Sequence, residues 1–330
     1  MSNVEQVDIR AEDDGVRLDK WLKKRYPGLT QGRVEKLLRT GQVRVDGGRV
    51  KSNARLEAGQ MVRVPPLGDL SPPPAKPKPK TTPQDRAYVQ ELVRHKDSSL
   101  IVINKPAGLA VQGGSKTERH LDGMLEGLKF DAPERPKLVH RLDRDTSGVL
   151  VLARNSKAAA YLGRAFKKKD AHKIYWALTV SVPRPARGTI RMPLAKLGGP
   201  GRERVHAAEF EDEEAKNATT HFAVVAQAGQ RLAWVAFMPV TGRTHQIRAH
   251  AAYALKTPIA GDGKYGGAEA HPGGEIERKL HLHARALDIA HPEGGRLKCT
   301  APLPEHMLKA WKLFGFDPDD DGDPFAELLA

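Results

Sequence analysis

Residues 138–155 read Leu138-Val139-His140-Arg141-Leu142-Asp143-Arg144-Asp145-Thr146-Ser147-Gly148-Val149-Leu150-Val151-Leu152-Ala153-Arg154-Asn155. A compact polar knot, His140 to Gly148, sits between two apolar runs, and the second run has the aliphatic and β-branched make-up of a buried strand. The knot brings together two carboxylates, two guanidiniums, an imidazole, two hydroxyls and a permissive glycine. Charges held against core strands cost several kcal/mol each unless paired. The knot is therefore either a structural ion-pair loop or a reactive site.

Composition narrows the partners. The 330 residues carry 54 Lys and Arg against 40 Asp and Glu, a net charge of +14 and a pI near 9.8. Such a balance favours a polyanion, nucleic acid before an acidic membrane surface. The length suits about two domains. No apolar run of about 18 residues spans a bilayer, and the polar, acidic first ten residues are not a secretory signal. The single cysteine, Cys299, leaves no intrachain disulfide and no multi-cysteine zinc site, as in a reducing cytoplasm.

Organisation follows from local patterns. Val16, Leu18, Trp21 and Leu22 form the apolar face of a first short helix. A second covers 31–39, with Thr30 as its N-cap and Gly41 as its left-handed terminator. Residues 43–45 alternate, Asp46-Gly47 signals a two-residue hairpin, and 62–64 read as another strand. Arg17, Lys20, Arg33, Lys36, Arg39 and Arg44 lie on the outside of this unit. Eight of the 24 prolines fall between Pro65 and Pro83, interleaved with lysines, as in a semi-rigid linker. Residues 100–103 form a buried strand and run into a Pro106-Ala107-Gly108 turn from which Lys105 projects. Ser156 caps a helix, residues 173–180 alternate as a strand, and 191–197, 222–226 and 232–237 continue a strand-rich domain. The expected boundaries are a disordered 1–15, a small domain at 16–64, a linker at 65–86, a catalytic domain at 87–315 and a solvated acidic tail at 316–330.

Several other chemistries fail on spacing. His281 and His283 share a strand face but lack a Cys or carboxylate to complete a metal shell. His245 and His250, five apart, do not share the face of a helical ligand pair. Asp317 opens an apparent calcium loop whose twelfth position, Leu328, cannot chelate. Gly113-Gly114-Ser115 lacks the Lys-Ser/Thr of a phosphate loop. A glycosidase pair at Asp143 and Asp145 fits poorly with 5% aromatic residues and a basic chain.

The wording of the knot, His140-Arg141-Leu142-Asp143, two residues, then Thr146-Ser147-Gly148, closely resembles the signature of the RluA/RluC/RluD family of pseudouridine synthases. Further family motifs follow in order: Asn104-Lys105-Pro106, Lys173-Ile174-Tyr175, the run from Gly242 to His250, and Lys279 to Ala284. Residues 16–64 resemble an S4-type RNA-binding domain, with Thr30-Gln31-Gly32-Arg33 a mild departure from its usual helix opening.

The resemblance implies an α+β fold: a mixed, largely antiparallel sheet with a central cleft, plus the small α/β RNA-binding domain. It implies uridine isomerisation in large-subunit ribosomal RNA, with no cofactor and no metal, by a cytoplasmic enzyme expected to be monomeric. Asp143 is the implied nucleophile, Arg248 its ion-pair partner, and Tyr175 the residue lying against the base. Arg141 fills the space the flipped base leaves, and Leu282 packs beneath it. His140, Thr146, Lys105, Arg243 and His245 complete the implied substrate contacts. The Gly-Gly-Ser points to the RluC branch. A RluD-like target, and a non-catalytic RNA-binding assembly factor, are the alternatives.

Overall fold

The computed structural model describes residues 4–68, 70, 81–113, 119–168, 170–197, 204–209, 212 and 215–329. The chain divides into two units, Met1–Lys78 and Pro79–Ala330.

The smaller unit contains β1 (Glu5–Asp8), α1 (Leu18–Arg25), α2 (Gln31–Arg39), β2 (Arg44–Val45) and β3 (Met61–Val64). Its sheet runs in the order β1, β3, β2, all antiparallel. The apolar faces foreseen for the two helices close over the sheet: Leu18, Trp21, Leu22, Val34, Leu37 and Leu38 share one core with Val43, Val45, Val62 and Val64. Asp46 (φ 48°) and Gly47 (φ 77°) form the two-residue turn, with Val45 and Gly48 exchanging backbone hydrogen bonds of 3.1 and 2.8 Å. Two positive φ angles in succession match the twist of the flanking strands. Gly41 ends α2 at φ 69°. Thr30 precedes α2 in extended conformation, but its side chain makes no capping bond.

Three boundaries move. Of the expected disordered 1–15, residues 5–13 are part of the fold: β1 pairs along β3, Ile9 is buried, and buried Asp13 accepts hydrogen bonds from Trp21 (3.1 Å) and Lys24 (3.0 Å). The unit does not stop at 64, because Leu67 is buried in the same core. At the other end of the expected linker, residues 83–86 are helical, since Thr82 caps α3 (Pro83–Glu91) by accepting from Asp85 N–H at 3.0 Å. Proline at the first helical position loses no hydrogen bond. Residues 71–80 of that linker, Gly114 and Ser115, and residues 198–203 lie outside the described residues.

After α3 the larger unit continues with β4 (Val93–Lys96), β5 (Leu100–Lys105), α4 (Leu121–Met124), β6 (Lys137–Leu138), β7 (Ser147–Ala153), α5 (Ser156–Lys168) and β8 (His172–Val180). Next come β9 (Arg187–Arg191), β10 (Leu194–Leu197), β11 (Arg204–Ala207), β12 (Thr219–Ala228), β13 (Leu232–Pro239), α6 (Gln246–Ala249), β14 (Leu282–Ala290), β15 (Arg296–Thr300) and α7 (Glu305–Phe314). A ten-stranded sheet runs β4-β5-β7-β14-β8-β13-β12-β9, with β15 added to β14 and β6 to β7. Every pairing is antiparallel except β7 with β14. β10 and β11 form a separate hairpin. The expected single run over 191–197 breaks at Pro193, which has no N–H to give a ladder.

Both faces of the sheet are covered, which is why β5 and β7 read as unbroken apolar runs. Leu100, Val102, Val149 and Val151 point to α5, while Ile101, Ile103, Leu150 and Leu152 pack on Leu121, Met124 and Leu125. α5 is capped by Asn155, whose Oδ1 accepts from Ala158 N–H at 2.8 Å, and not by Ser156, whose hydroxyl donates to Glu134. Behind β8 and β13, Trp176, Trp234 and Trp311 cluster with Phe316 and Phe325. Residues 316–330 are thus no free tail: two aromatic anchors hold the acidic segment between them onto the core.

Candidate active site

The site is built where β7, β14 and β8 begin. Ser147 lies opposite His283 and Gly148 opposite Ala284 in the parallel pair, and Ala284 lies opposite Tyr175 in the antiparallel one. Gly148 permits this: at φ 112°, a Cβ there would fall 2.2 Å from the Ala284 carbonyl oxygen. Ser147 Oγ lies 2.8 Å from His283 Nδ1, and His283 Nε2 lies 3.1 Å from the Ala301 carbonyl. The turn before β7 closes with Thr146 N–H donating to the Asp143 carbonyl at 3.2 Å. Asp143 therefore stands on a short turn with fixed ends.

A cavity of about 510 Å³ opens above this turn, within the range of small-molecule sites. Asp143, Thr146, Tyr175, Leu282, His245 and Arg248 all line it. Tyr175 is held as the phenol: burial, then the Asp143 charge, pushes its pKa well above the ordinary 10. Leu282 and Thr146 are buried. Arg141 is exposed at the rim. Arg243 is also exposed there, its Nε donating to the Asn217 carbonyl at 3.0 Å.

His140 lines the cavity as well, but its Nε2 accepts from Val151 N–H at 2.9 Å and its ring stacks on Phe166 at 4.4 Å. Burial, reinforced by the charge of Lys173, drives its pKa down to about 3 and leaves it neutral. It braces β7. Lys105 overturns the expectation of a projecting substrate contact. It is fully buried, and Nζ donates to the carbonyls of Pro106 (2.8 Å), Leu109 (2.9 Å) and Arg144 (3.0 Å). Burial pulls its pKa down to about 7 against the charges of Asp145 and Asp143. Its role is to tie the turn after β5 to the turn carrying Asp143.

Arg248 is the second correction. The guanidinium does line the cavity, but its bidentate partner is Asp262, at 2.8 and 2.7 Å, with both residues buried. Asp262 also accepts from the backbone N–H groups of Lys264 (3.2 Å) and Tyr265 (3.3 Å). Asp143 lies near enough to contribute to the raised pKa of Arg248, and His245 also approaches its carboxylate, Nε2 to Oδ2 at 3.8 Å. Gln246 shapes this wall: its amide accepts from Thr241 Oγ1 (2.7 Å) and Arg243 N–H (3.0 Å) and donates to Thr219 O (2.9 Å) and Thr220 Oγ1 (2.8 Å). Sequence reasoning missed Asp262, Tyr265 and Gln246 as site residues. The one available signal was the polar run at 262–265 after an apolar stretch.

In the smaller unit the basic residues divide. Lys20, Lys36 and Arg39 are exposed. Arg17 binds Asp19 at 3.1 and 2.8 Å, Arg33 donates to the Leu67 carbonyl, and Arg44 donates to Gly41 O (3.1 Å) and Gly47 O (3.2 Å). The last two therefore brace the unit rather than simply face outward. Arg17 and Arg39 line a shallow recess with Lys51.

Residues 99–253 match the family described as RNA pseudouridylate synthase, and residues 16–62 match the S4 domain. The chain is 35% identical over 305 residues to the ribosomal large subunit pseudouridine synthase C of Rickettsia prowazekii (strain Madrid E), covering 89% of this chain and 95% of that protein. The synthase of the same name from Salmonella typhimurium (strain LT2) is 36% identical over 317 residues, covering 93% and 95%. Among solved structures, human RNA pseudouridylate synthase domain containing 4 superposes with a TM-score of 0.59 at 29% identity, covering 70% of this chain and 97% of that one. The sheet, its cleft and these matches together define a pseudouridine synthase catalytic unit. The chain belongs to the RNA pseudouridylate synthase family, as an RNA pseudouridine synthase with an S4 domain at its N-terminal end.

Proposed function

We propose that this enzyme isomerises specific uridines in large-subunit ribosomal RNA, in the manner of the RluC type, with Asp143 as the reacting carboxylate. The observation that carries the reading is the meeting of Asp143, Tyr175, Leu282 and Arg248 around one cavity, on a chain whose relatives are named for that activity. The net charge of +14 and the S4 domain support a polyanionic RNA. The bacterial relatives named for a ribosomal activity favour the cytoplasm as its compartment.

The reaction breaks the N1–C1′ bond, turns the uracil and rejoins it through C5. C5 loses a proton and N1 gains one, so no electrons are exchanged. Asp143 supplies the carboxylate that adds to the base or to C1′. The Arg248 guanidinium, fixed by Asp262, lines the same cavity and keeps a positive group on its wall. Bringing the uridine out of its stack costs a few kcal/mol, and Arg141, exposed at the rim, is placed to enter the space left behind. Tyr175 and Leu282 then bracket the base, the phenol ring on one side and the aliphatic floor on the other.

The test is a map of pseudouridines in ribosomal RNA from cells with and without the gene, repeated with Asp143→Ala. We expect specific positions to be lost in the deletion and to stay lost with Asp143→Ala, while the variant still binds RNA. Asp145→Ala is expected to retain most activity, since Asp145 pairs with its neighbour Arg144 at 3.0 Å and does not line the cavity. Full activity of Asp143→Ala refutes the assignment.

A further inference from the structure

An imidazole approaches the carboxylate of Asp143 from the wall of the cavity. His245 Nε2 lies 3.8 Å from Asp143 Oδ2. The guanidinium that the sequence offers for this role is committed through Nε and Nη2 to Asp262. The imidazole also has a partner on its other nitrogen. Val205 N–H donates to the Tyr265 hydroxyl oxygen at 3.1 Å, and the same hydroxyl lies 2.8 Å from His245 Nδ1, where it can donate. With Nδ1 accepting, the ring proton is assigned to Nε2, the nitrogen facing Asp143. The backbone adds a second sign of purpose. His245 sits at φ 51°, in the left-handed region that non-glycine residues seldom occupy and that clusters at functional sites.

We propose that His245 is a positioning residue for Asp143: its Nε2–H holds the carboxylate in the orientation that meets the flipped nucleotide, while Tyr265 fixes the tautomer. The proposal rests on Asp143 being the reacting carboxylate. The groups facing His245 are Asp143, Arg248, Lys264, Asp262 and the Tyr265 ring. Burial outweighs the opposing charges of Asp143 and Asp262 and keeps the imidazole below its ordinary pKa, so it acts as a neutral donor. A contact of 3.8 Å is longer than a hydrogen bond, and such contacts tighten when substrate fills a site. Because Val205 belongs to β11, the β10–β11 hairpin becomes the outer support of the carboxylate, through a chain of three named contacts. His245 thus acts on Asp143, not as the direct RNA contact implied by the resemblance.

The test uses the full chain, transcribed large-subunit ribosomal RNA and release of label from C5 of uridine, with folding followed by thermal melting. We compare Asp143→Ala, His245→Ala, His245→Gln and Tyr265→Phe. Misplacing a reacting group by about 1 Å costs about 10²-fold, so His245→Ala is expected to lower kcat by about that factor with KM unchanged. His245→Gln, which restores an N–H near the Nε2 position, is expected to recover about tenfold of the loss. Tyr265→Phe lowers kcat and adds nothing further in combination with His245→Ala. A rise in KM at unchanged kcat, unchanged kcat with Asp143→Ala inactive, or equal rates for the Ala and Gln variants overturns the proposal. If His245→Ala fails to fold, the contrast between His245→Gln and Tyr265→Phe decides by the same criterion. Activity in Asp143→Ala defeats instead the reading on which the proposal rests.

Discussion

Arg248 and Asp262 illustrate how a buried charge is kept beside a reacting group. The two form a bidentate pair at 2.7 and 2.8 Å with both residues buried, and removal of one partner of such a pair costs about 3–5 kcal/mol because the other charge is stranded. Asp262→Asn is therefore expected to destabilise the larger unit by an amount of that order and to reduce kcat, measured by denaturant melting and single-turnover assay. If stability is unaffected, the pair is not what holds the guanidinium. Lys105 shows the opposite arrangement, a lysine with no anionic partner in contact among the described residues, satisfied by three carbonyls. From sequence the two were indistinguishable, because an Arg or Lys inside a motif looks the same whether it faces substrate or scaffold. Both are buried, and only their partners separate them.

At the scale of the element, the site depends on the single parallel pairing in the large sheet. β7 and β14 approach so closely that Gly148 has no room for a side chain, with the Ala284 carbonyl 2.2 Å from a Cβ position and φ at 112°. Gly148→Ala is expected to cost about 3 kcal/mol, the sum of an unfavourable backbone conformation and displacement of β14. The loss should appear as a lower Tm and a lower kcat together, since Asp143 stands on the turn leading into one of the strands being separated and Leu282 opens the other. A variant as stable as the parent refutes the close approach. The strands themselves were legible: apolar runs at 100–103, 149–152 and 232–237 all lie within strands. Their order was not, because residues in β7 and β14 that pair directly are more than a hundred positions apart, and local periodicity carries no such information.

For the molecule as a whole, acid is expected to be destabilising through its buried imidazoles. His250, His281 and His283 are buried with pKa values lowered to about 4, and His140 to about 3, desolvation being the main cause in each. The folded values lie below the ordinary 6.5, so the unfolded chain takes up protons first. Their contribution is complete above about 6.5 and is lost as pH falls toward about 4, by roughly 1 kcal/mol per pH unit for each imidazole. Calorimetry at about pH 7 and about pH 5 should show the lower Tm at the lower pH; equal values refute it. The division of the chain gives a further prediction. Removing residues 1–78 is expected to weaken RNA binding and to flatten its dependence on salt, because fewer phosphates are neutralised. An unchanged salt slope in filter binding counts against an RNA contact by the S4 domain.

The sequence by itself determined most of the strands and helices and pointed to the turn whose Asp143 lines the cavity, because these depend on local pattern: apolar period, turn residues and a motif whose members are close along the chain. It did not determine which side chain faces the Asp143 carboxylate, that Lys105 is scaffold, that residues 5–8 add a strand, or that the acidic end is pinned by Phe316 and Phe325. Those outcomes belong to tertiary structure, since each depends on which distant group reaches a buried partner first. Asp262 reaches Arg248, and His245 is left facing Asp143. Charge and hydrogen bonding act over a few ångströms in space, and chain separation is no guide to that distance.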